Sequence, residues 1–184
     1  MFYTGAGDKG KTKLFGCSQE CSKSSIIAEA LGTVDEINSL IGLCKIKAQQ
    51  VGLFSGQKQL VAEELEAIQQ DLFVIQAELA GADKTIAEDK VKKVETIIDA
   101  IEKELPPIKT FFVSGGTELG ATFDFARTVA RRAERRVIAV VEEGKIKVGD
   151  HSRAYLNRLS SILYAYARLA NHKSGITEKP PTYL

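Results

Sequence analysis

The chain has no tryptophan, one methionine and three cysteines, and its 25 Lys plus Arg against 24 Asp plus Glu leave a net charge of +1. Each shortage closes an option. A charge balance this near zero provides no global field to select nucleic acid or an anionic membrane, so any basic site is local. Cys17, Cys21 and Cys44 are odd in number and too few for a disulfide framework. A C-x3-C pair alone is no zinc signature, and His151 and His172 lie far along the chain. Free thiols in a reducing compartment are expected, with no structural metal and no disulfide. No apolar run is long enough to span a bilayer. The opening MFYTGAGDKG lacks the apolar stretch of a signal peptide, which points to a cytoplasmic protein without a membrane partner.

Helical periodicity is what the sequence has in abundance. In SSIIAEALGTVDEINSLIGLCKIKA, residues Ile26, Ala30, Leu31, Val34, Ile37, Ile41 and Cys44 recur at helical spacing, and Ser24 or Ser25 offers an N-cap. A second helix is predicted from about Gln57 to Leu79. A third, charged one runs from about Glu88 to Glu104 and is stopped by Pro106-Pro107. A fourth spans about Glu118 to Glu143 and a fifth about Asp150 to Lys173. The strand signals, TKLF and KTFFV, are short and unextended. Five long helices with short joints predict an all-α bundle. A single domain is expected, with a loop over 1–23, the bundle over 24–174 and a tail over 175–184.

The stretch GAGDKGKT, Gly5 to Thr12, fits the phosphate-loop pattern G-x-x-x-x-G-K-[ST]. The fold that gives the pattern its meaning is missing. Only MFYT precedes it, too little for a buried strand, and KLFGCSQECS follows where a helix is required. That disfavours a P-loop NTPase. The local chemistry is a separate matter, because closely spaced glycines bare their backbone N–H groups and Lys9, Lys11, Thr12 and Lys13 add donors. The loop is either a polyphosphate cradle or an ordinary glycine- and lysine-rich terminus.

A second anomaly is TFDFARTVARRAERRVIAV in the fourth helix. Asp124, Arg127, Arg131 and Glu134 share one face, with Arg132, Arg135 and Arg136 on adjacent ones. Apolar residues occupy much of the remaining circumference, so some arginines border packed surface, where arginine is usually paired or binds phosphate. Three readings stand: a solvated face, a nucleic-acid helix, or an anion site. Glu134 inside the cluster and the absence of interleaved aromatics weigh against nucleic acid. In the fifth helix Leu156, Leu159, Leu163 and Tyr166 form a core stripe, with Asn157, Ser161 and Tyr164 or Arg168 on a polar face. Asp35 and Asn38 sit inside an apolar segment of the first helix, where a buried Asp needs a cationic partner.

Taken in order, YTGAGDKGKTKLFG, EALGTVDEINSLIGL, FFVSGGTELGATFDFARTVARRAERRV and YLNRLSSILYAYARLAN resemble the PduO-type ATP:cob(I)alamin adenosyltransferases over nearly the whole chain. The resemblance implies a five-helix, ferritin-like bundle assembled as a homotrimer with active sites between subunits. It implies transfer of the 5′-deoxyadenosyl group of ATP to the cobalt of cob(I)alamin, giving adenosylcobalamin and triphosphate, with Mg²⁺ accompanying ATP. The alternative is a non-catalytic ATP- or cobalamin-binding sensor or cofactor chaperone on the same fold. By resemblance, Thr4, Gly5, Ala6, Gly7, Thr12, Lys13 and Lys23 hold the triphosphate. Arg131, Arg132, Glu134 and Arg135 form the ATP cluster of the fourth helix, and Asn157 contacts the nucleotide. Asp35 and Arg127 resemble an acid–arginine pair that crosses the subunit interface, and Phe111 the aromatic beneath cobalt. Arg131, Phe111, Asp35 and Arg127 are the catalytic set, the last three also being the cobalamin set. A corrinoid reductase and an adenosylcobalamin-dependent enzyme are implied as partners. The chain departs from the family pattern at Gly5 (usually basic), Val113-Ser114 (usually Leu-Pro), Asp124 (commonly His) and Ser161 (usually Asp).

Overall fold

The computed structural model describes residues 2–14, 20–55 and 60–183. Five helices carry the fold: α1 Ile26–Val51, α2 Val61–Leu79, α3 Glu88–Glu104, α4 Glu118–Glu142 and α5 Asp150–Lys173. Ser25 caps α1, its hydroxyl accepting the Ala28 N–H, and Gly52 ends it in the left-handed conformation at φ 61°. Thr117 caps α4 in the same way through the Gly120 N–H at 2.9 Å. The predicted helix bounds hold to within three residues; for α2, the predicted start at Gln57 lies outside the described residues. Packed neighbours run α2–α1–α4–α5–α3.

Two features differ from expectation. TKLF contributes a strand, β1 Lys11–Lys13, but it is one arm of a small antiparallel hairpin with β2 Glu20–Ser22, whose sequence ECS carries no strand signal. KTFFV forms no strand. Cys21 and Cys44 are free thiols, whereas Cys17 lies outside the described residues. Burial pushes the Cys44 thiol up to about 12, so it stays protonated and inert.

The core is the apolar stripe the periodicity anticipates. Val34, Ile37, Ile41, Leu65, Leu72, Phe123, Leu156, Leu159 and Leu163 are all buried, and Phe123 meets Tyr166 with ring centroids 5.4 Å apart. Each such side chain contributes about 1.5–3 kcal/mol by leaving water. Ile26 is the exception and stays exposed. Unexpectedly, α2 also buries three acids at seven-residue spacing, all turned toward α5. Glu64 accepts from Ser55 and Tyr166, both at 2.7 Å. Asp71 accepts from Tyr155 at 3.0 Å and pairs with Lys90 at 3.1 Å. Glu78 accepts from Ser152 at 2.5 Å and from the Gly149 N–H at 2.8 Å. The tyrosine hydroxyls are buried with their rings, so they require such acceptors. Burial raises the Glu64 pKa against the opposing pull of those two hydrogen bonds, and burial followed by the facing carboxylates raises Tyr155 and Tyr166.

Candidate active site

Pro106-Pro107 ends α3 and starts an irregular segment that returns to α4 through Gly115-Gly116. Between this segment, the end of α3 and the middles of α4 and α5 lies a cavity of about 890 Å³. The segment presents Phe111, which is 79% exposed; α4 presents Arg127 and Arg131, and α5 presents Ser161 and Tyr164. Phe111, Arg127 and Arg131 were expected to share a site, and one cavity brings them together. It is mostly apolar, with charged groups on α4 and α5 (Asp124, Arg127, Arg131, Arg168) and with Glu102 and Lys109 on the opposite side, the usual make-up of a site for a large organic ligand.

The charged wall is more elaborate than the sequence implied. Arg168, expected on a polar face of α5, is 3% exposed and pairs with Asp124 on α4 at 2.7 Å. Its guanidinium carbon lies 4.8 Å from the Tyr164 ring centroid and 5.7 Å from that of Phe112. Asp124 also receives the Arg127 Nε at 3.4 Å. Position 124 therefore supplies a buried carboxylate between two arginines. A histidine there has no negative charge to offer them.

Farther along α4, Glu134 accepts from Asn157 Nδ2 at 2.8 Å, so the structure joins these two predicted nucleotide contacts. Asn157 Oδ1 in turn accepts from Arg158 at 2.7 Å, and Arg158 reaches Glu95 on α3 at 2.8 Å. Arg132 pairs with Glu36 at 2.5 Å and Arg136 with Glu29 at 3.4 Å, both on α1. Arg135 is exposed. Asp35 is exposed as well, not buried as its apolar surroundings in sequence suggested, and the in-chain partner of Arg127 is Asp124. Helix α1 turns Asp35 away from the core while Val34 and Ile37 fill it.

The N-terminal loop is a pair of tight turns. Gly5 and Gly10 adopt φ 70° and 77°, and the Asp8 and Gly10 N–H groups donate to the Gly5 and Gly7 carbonyls. Thr4 Oγ1 accepts the Ala6 N–H at 3.4 Å. The Lys23 ammonium lies against the loop: a Cβ on Gly7 would sit 2.8 Å from its Nζ. The turns run into a strand and not a helix, so the phosphate-loop match carries no P-loop fold. Thr12 and Lys13 border a different cavity, about 580 Å³, with Ala28, Leu31 and Phe73. Within one chain, then, Thr12 and Lys13 border one space and Arg127 and Arg131 another. Among the described residues, no group of three or more His, Cys, Asp or Glu converges on a point.

The reading from sequence missed Asn171. It is 1% exposed; its Oδ1 accepts from the Thr117 N–H at 2.9 Å and the Thr117 hydroxyl at 3.0 Å. Its Nδ2 donates to the Gly115 carbonyl at 2.8 Å and to Glu178 at 2.7 Å. The available signal was an amide at the end of an apolar run, together with Gly120 inside a helix.

The family model for cobalamin adenosyltransferase matches residues 2–170. A corrinoid adenosyltransferase of Bacillus subtilis is 39% identical over 180 residues, which is 95% of this chain and 88% of that protein. A corrinoid adenosyltransferase PduO of Citrobacter freundii is 38% identical over 92% of this chain, which spans half of that longer protein. Among solved structures, a phenylalanine-to-alanine variant of a PduO-type ATP:corrinoid adenosyltransferase from Lactobacillus reuteri, complexed with cobalamin and ATP, superposes with a TM-score of 0.87 at 30% identity, covering all of both chains.

Proposed function

This chain belongs to the cobalamin adenosyltransferase family, and on that premise we propose that it transfers the 5′-deoxyadenosyl group of ATP to the cobalt of cob(I)alamin. The Co(I) centre is the nucleophile. It attacks C5′, the cobalt–carbon bond forms with both electrons from cobalt, and the C5′–O bond breaks with its pair leaving on triphosphate. No protein base is needed. The chain's own tasks are to hold C5′ in line with cobalt and to stabilise charge on the leaving oxygen.

The observation that carries this reading is the 890 Å³ cavity in which Phe111, Arg127 and Arg131 meet. In it, Phe111 lies beneath the corrin and favours cobalt without its lower ligand, which eases reduction to Co(I). Arg131 faces the departing phosphates, and the Glu134–Asn157 pair takes the nucleoside. Arg132 and Arg135 flank the nucleotide. The second set of phosphate donors is Thr4, Gly5, Ala6, Gly7, Thr12, Lys13 and Lys23, of which Thr12 and Lys13 border a different cavity of the same chain. This supports a site built between subunits, with the loop of one facing α4 and α5 of another in a homotrimer. Asp35, exposed on α1, then reaches Arg127 across the interface. Mg²⁺ enters as the ATP complex, held by its phosphates. A reductase that supplies Co(I) and an enzyme that consumes adenosylcobalamin complete the scheme.

The test is an anaerobic assay with ATP, Mg²⁺ and chemically reduced cob(I)alamin. Loss of the Co(I) spectrum, light-sensitive adenosylcobalamin and stoichiometric triphosphate are expected together. ATP binding with neither product would replace this reading with the sensor or chaperone.

A further inference from the structure

We propose that Asp124, Arg168 and Glu178 form a charge latch that holds the segment 176–180 against the loop bearing Phe111, which makes them positioning residues for the corrinoid; this rests on the reading of the 890 Å³ cavity as the corrinoid site. Arg168 is the pivot. Its guanidinium is buried between two carboxylates from distant parts of the chain, Asp124 at 2.7 Å and Glu178 at 2.8 Å. Its Nη2 donates a hydrogen bond to Asp124, whereas Nε and Nη1 make none among the described residues, so Glu178 meets the guanidinium as an ion pair and not through a hydrogen bond. Arg127 offsets the second negative charge from the cavity side. The four groups compensate one another, and the loss of either carboxylate leaves a buried positive charge short of a partner.

The latch acts on the loop at three points. The Val113 N–H donates to the Lys179 carbonyl at 2.9 Å. Asn171 binds the Gly115 carbonyl and Glu178 through one amide nitrogen. Arg168 lies over the Phe112 ring. Phe112 and Arg168 stand between the corrinoid cavity and a second one of about 420 Å³, which is bordered by Ile176, Thr177 and Glu178. Phe112 is thus held between the two cavities, while its neighbour Phe111 borders the first and not the second, 79% exposed. Holding Phe112 is what aims Phe111.

Glu178→Gln and Asp124→Asn keep the shapes and remove one charge each. Both should raise KM for cob(I)alamin about tenfold, the loss of one charge-assisted contact, with KM for ATP within about twofold of wild type. Both should also shrink the fraction of ATP-bound cob(II)alamin that lacks its lower ligand, read from its visible and EPR spectra, in the direction given by Phe111→Ala. A structural role alone would lower the melting temperature without splitting the two KM values. Amide exchange at Val113 in the intact wild-type protein needs no variant: slow exchange is expected, and exchange at the free-peptide rate would overturn the latch. A spectrum changed by Phe111→Ala but not by Glu178→Gln or Asp124→Asn would overturn the latch and leave the proposed function standing. Absence of adenosylcobalamin from the wild type would overturn both.

Discussion

Replacing Gly120 with alanine should destabilise the protein, although alanine is the better helix former. Gly120 lies in the first turn of α4, where an added Cβ would sit 2.3 Å from Asn171 Oδ1 and 2.9 Å from its Cγ. Asn171 has nowhere to retreat, since Thr117, Gly115 and Glu178 hold its amide through four hydrogen bonds of 2.7–3.0 Å. Each such bond is worth about 1 kcal/mol net, and overpacking costs roughly 1–3 kcal/mol. Against this stands a helix-propensity gain of about 1 kcal/mol. The clash wins, with a net loss of about 2–3 kcal/mol and a fall in Tm of roughly 5–10 °C for a chain of this size. Calorimetry at fixed protein concentration measures it. The mechanism is tested by repeating the substitution in an Asn171→Ala background, where only the 3.0 Å approach to Thr117 Oγ1 remains and Gly120→Ala should lose most of its cost. A Gly120→Ala protein as stable as wild type, or an equal cost in both backgrounds, would refute the reasoning.

Three further outcomes are expected. Arg131→Ala should lower kcat by about 10²–10³-fold with an unchanged melting temperature, because it removes one preorganised donor to the leaving triphosphate; turnover like wild type would remove Arg131 from that role. Phe111→Ala should impair corrinoid turnover far more than ATP affinity, measured by calorimetric titration; equal losses in both would argue against a place beneath cobalt. Glu64→Gln should flatten the pH dependence of stability. Burial raises the Glu64 pKa above the ordinary 4.5, so as pH climbs from there the unfolded chain loses its proton first. The folded state then holds more protons, and stability falls until pH passes the folded value. Denaturant melts at acidic and neutral pH should therefore differ less in the variant, and an undiminished difference would sink the assignment.

The helices were legible because their signal is local. Apolar residues at 3.6-residue spacing, the Ser24 or Ser25 cap and the Pro106-Pro107 stop each act over one or two turns, and α3 and α5 fall where the spacing places them. The hairpin was not legible, because ECS becomes a strand only through a partner arm. The cavity was half legible: Arg127 and Arg131 stood out by residue type and Phe111 by family resemblance, whereas Arg168 read only as part of a polar face of the fifth helix and Asn171 went unnoticed.

Periodicity, caps and breakers already specify five helices and their apolar stripes, since backbone hydrogen bonding within a helix reaches only four residues. Which charged groups turn inward was settled by packing. Asp35 and Asp124 both sit among apolar neighbours in sequence, yet Asp35 faces out and Asp124 is buried, because only Asp124 has an arginine brought to it from 44 residues away. Likewise Glu64, Asp71 and Glu78 look like a solvated edge of α2 until α5 lays two tyrosine hydroxyls and a serine against them. A buried charge is tolerable only opposite its partner, and partners so far apart along the chain meet only once the helices have packed.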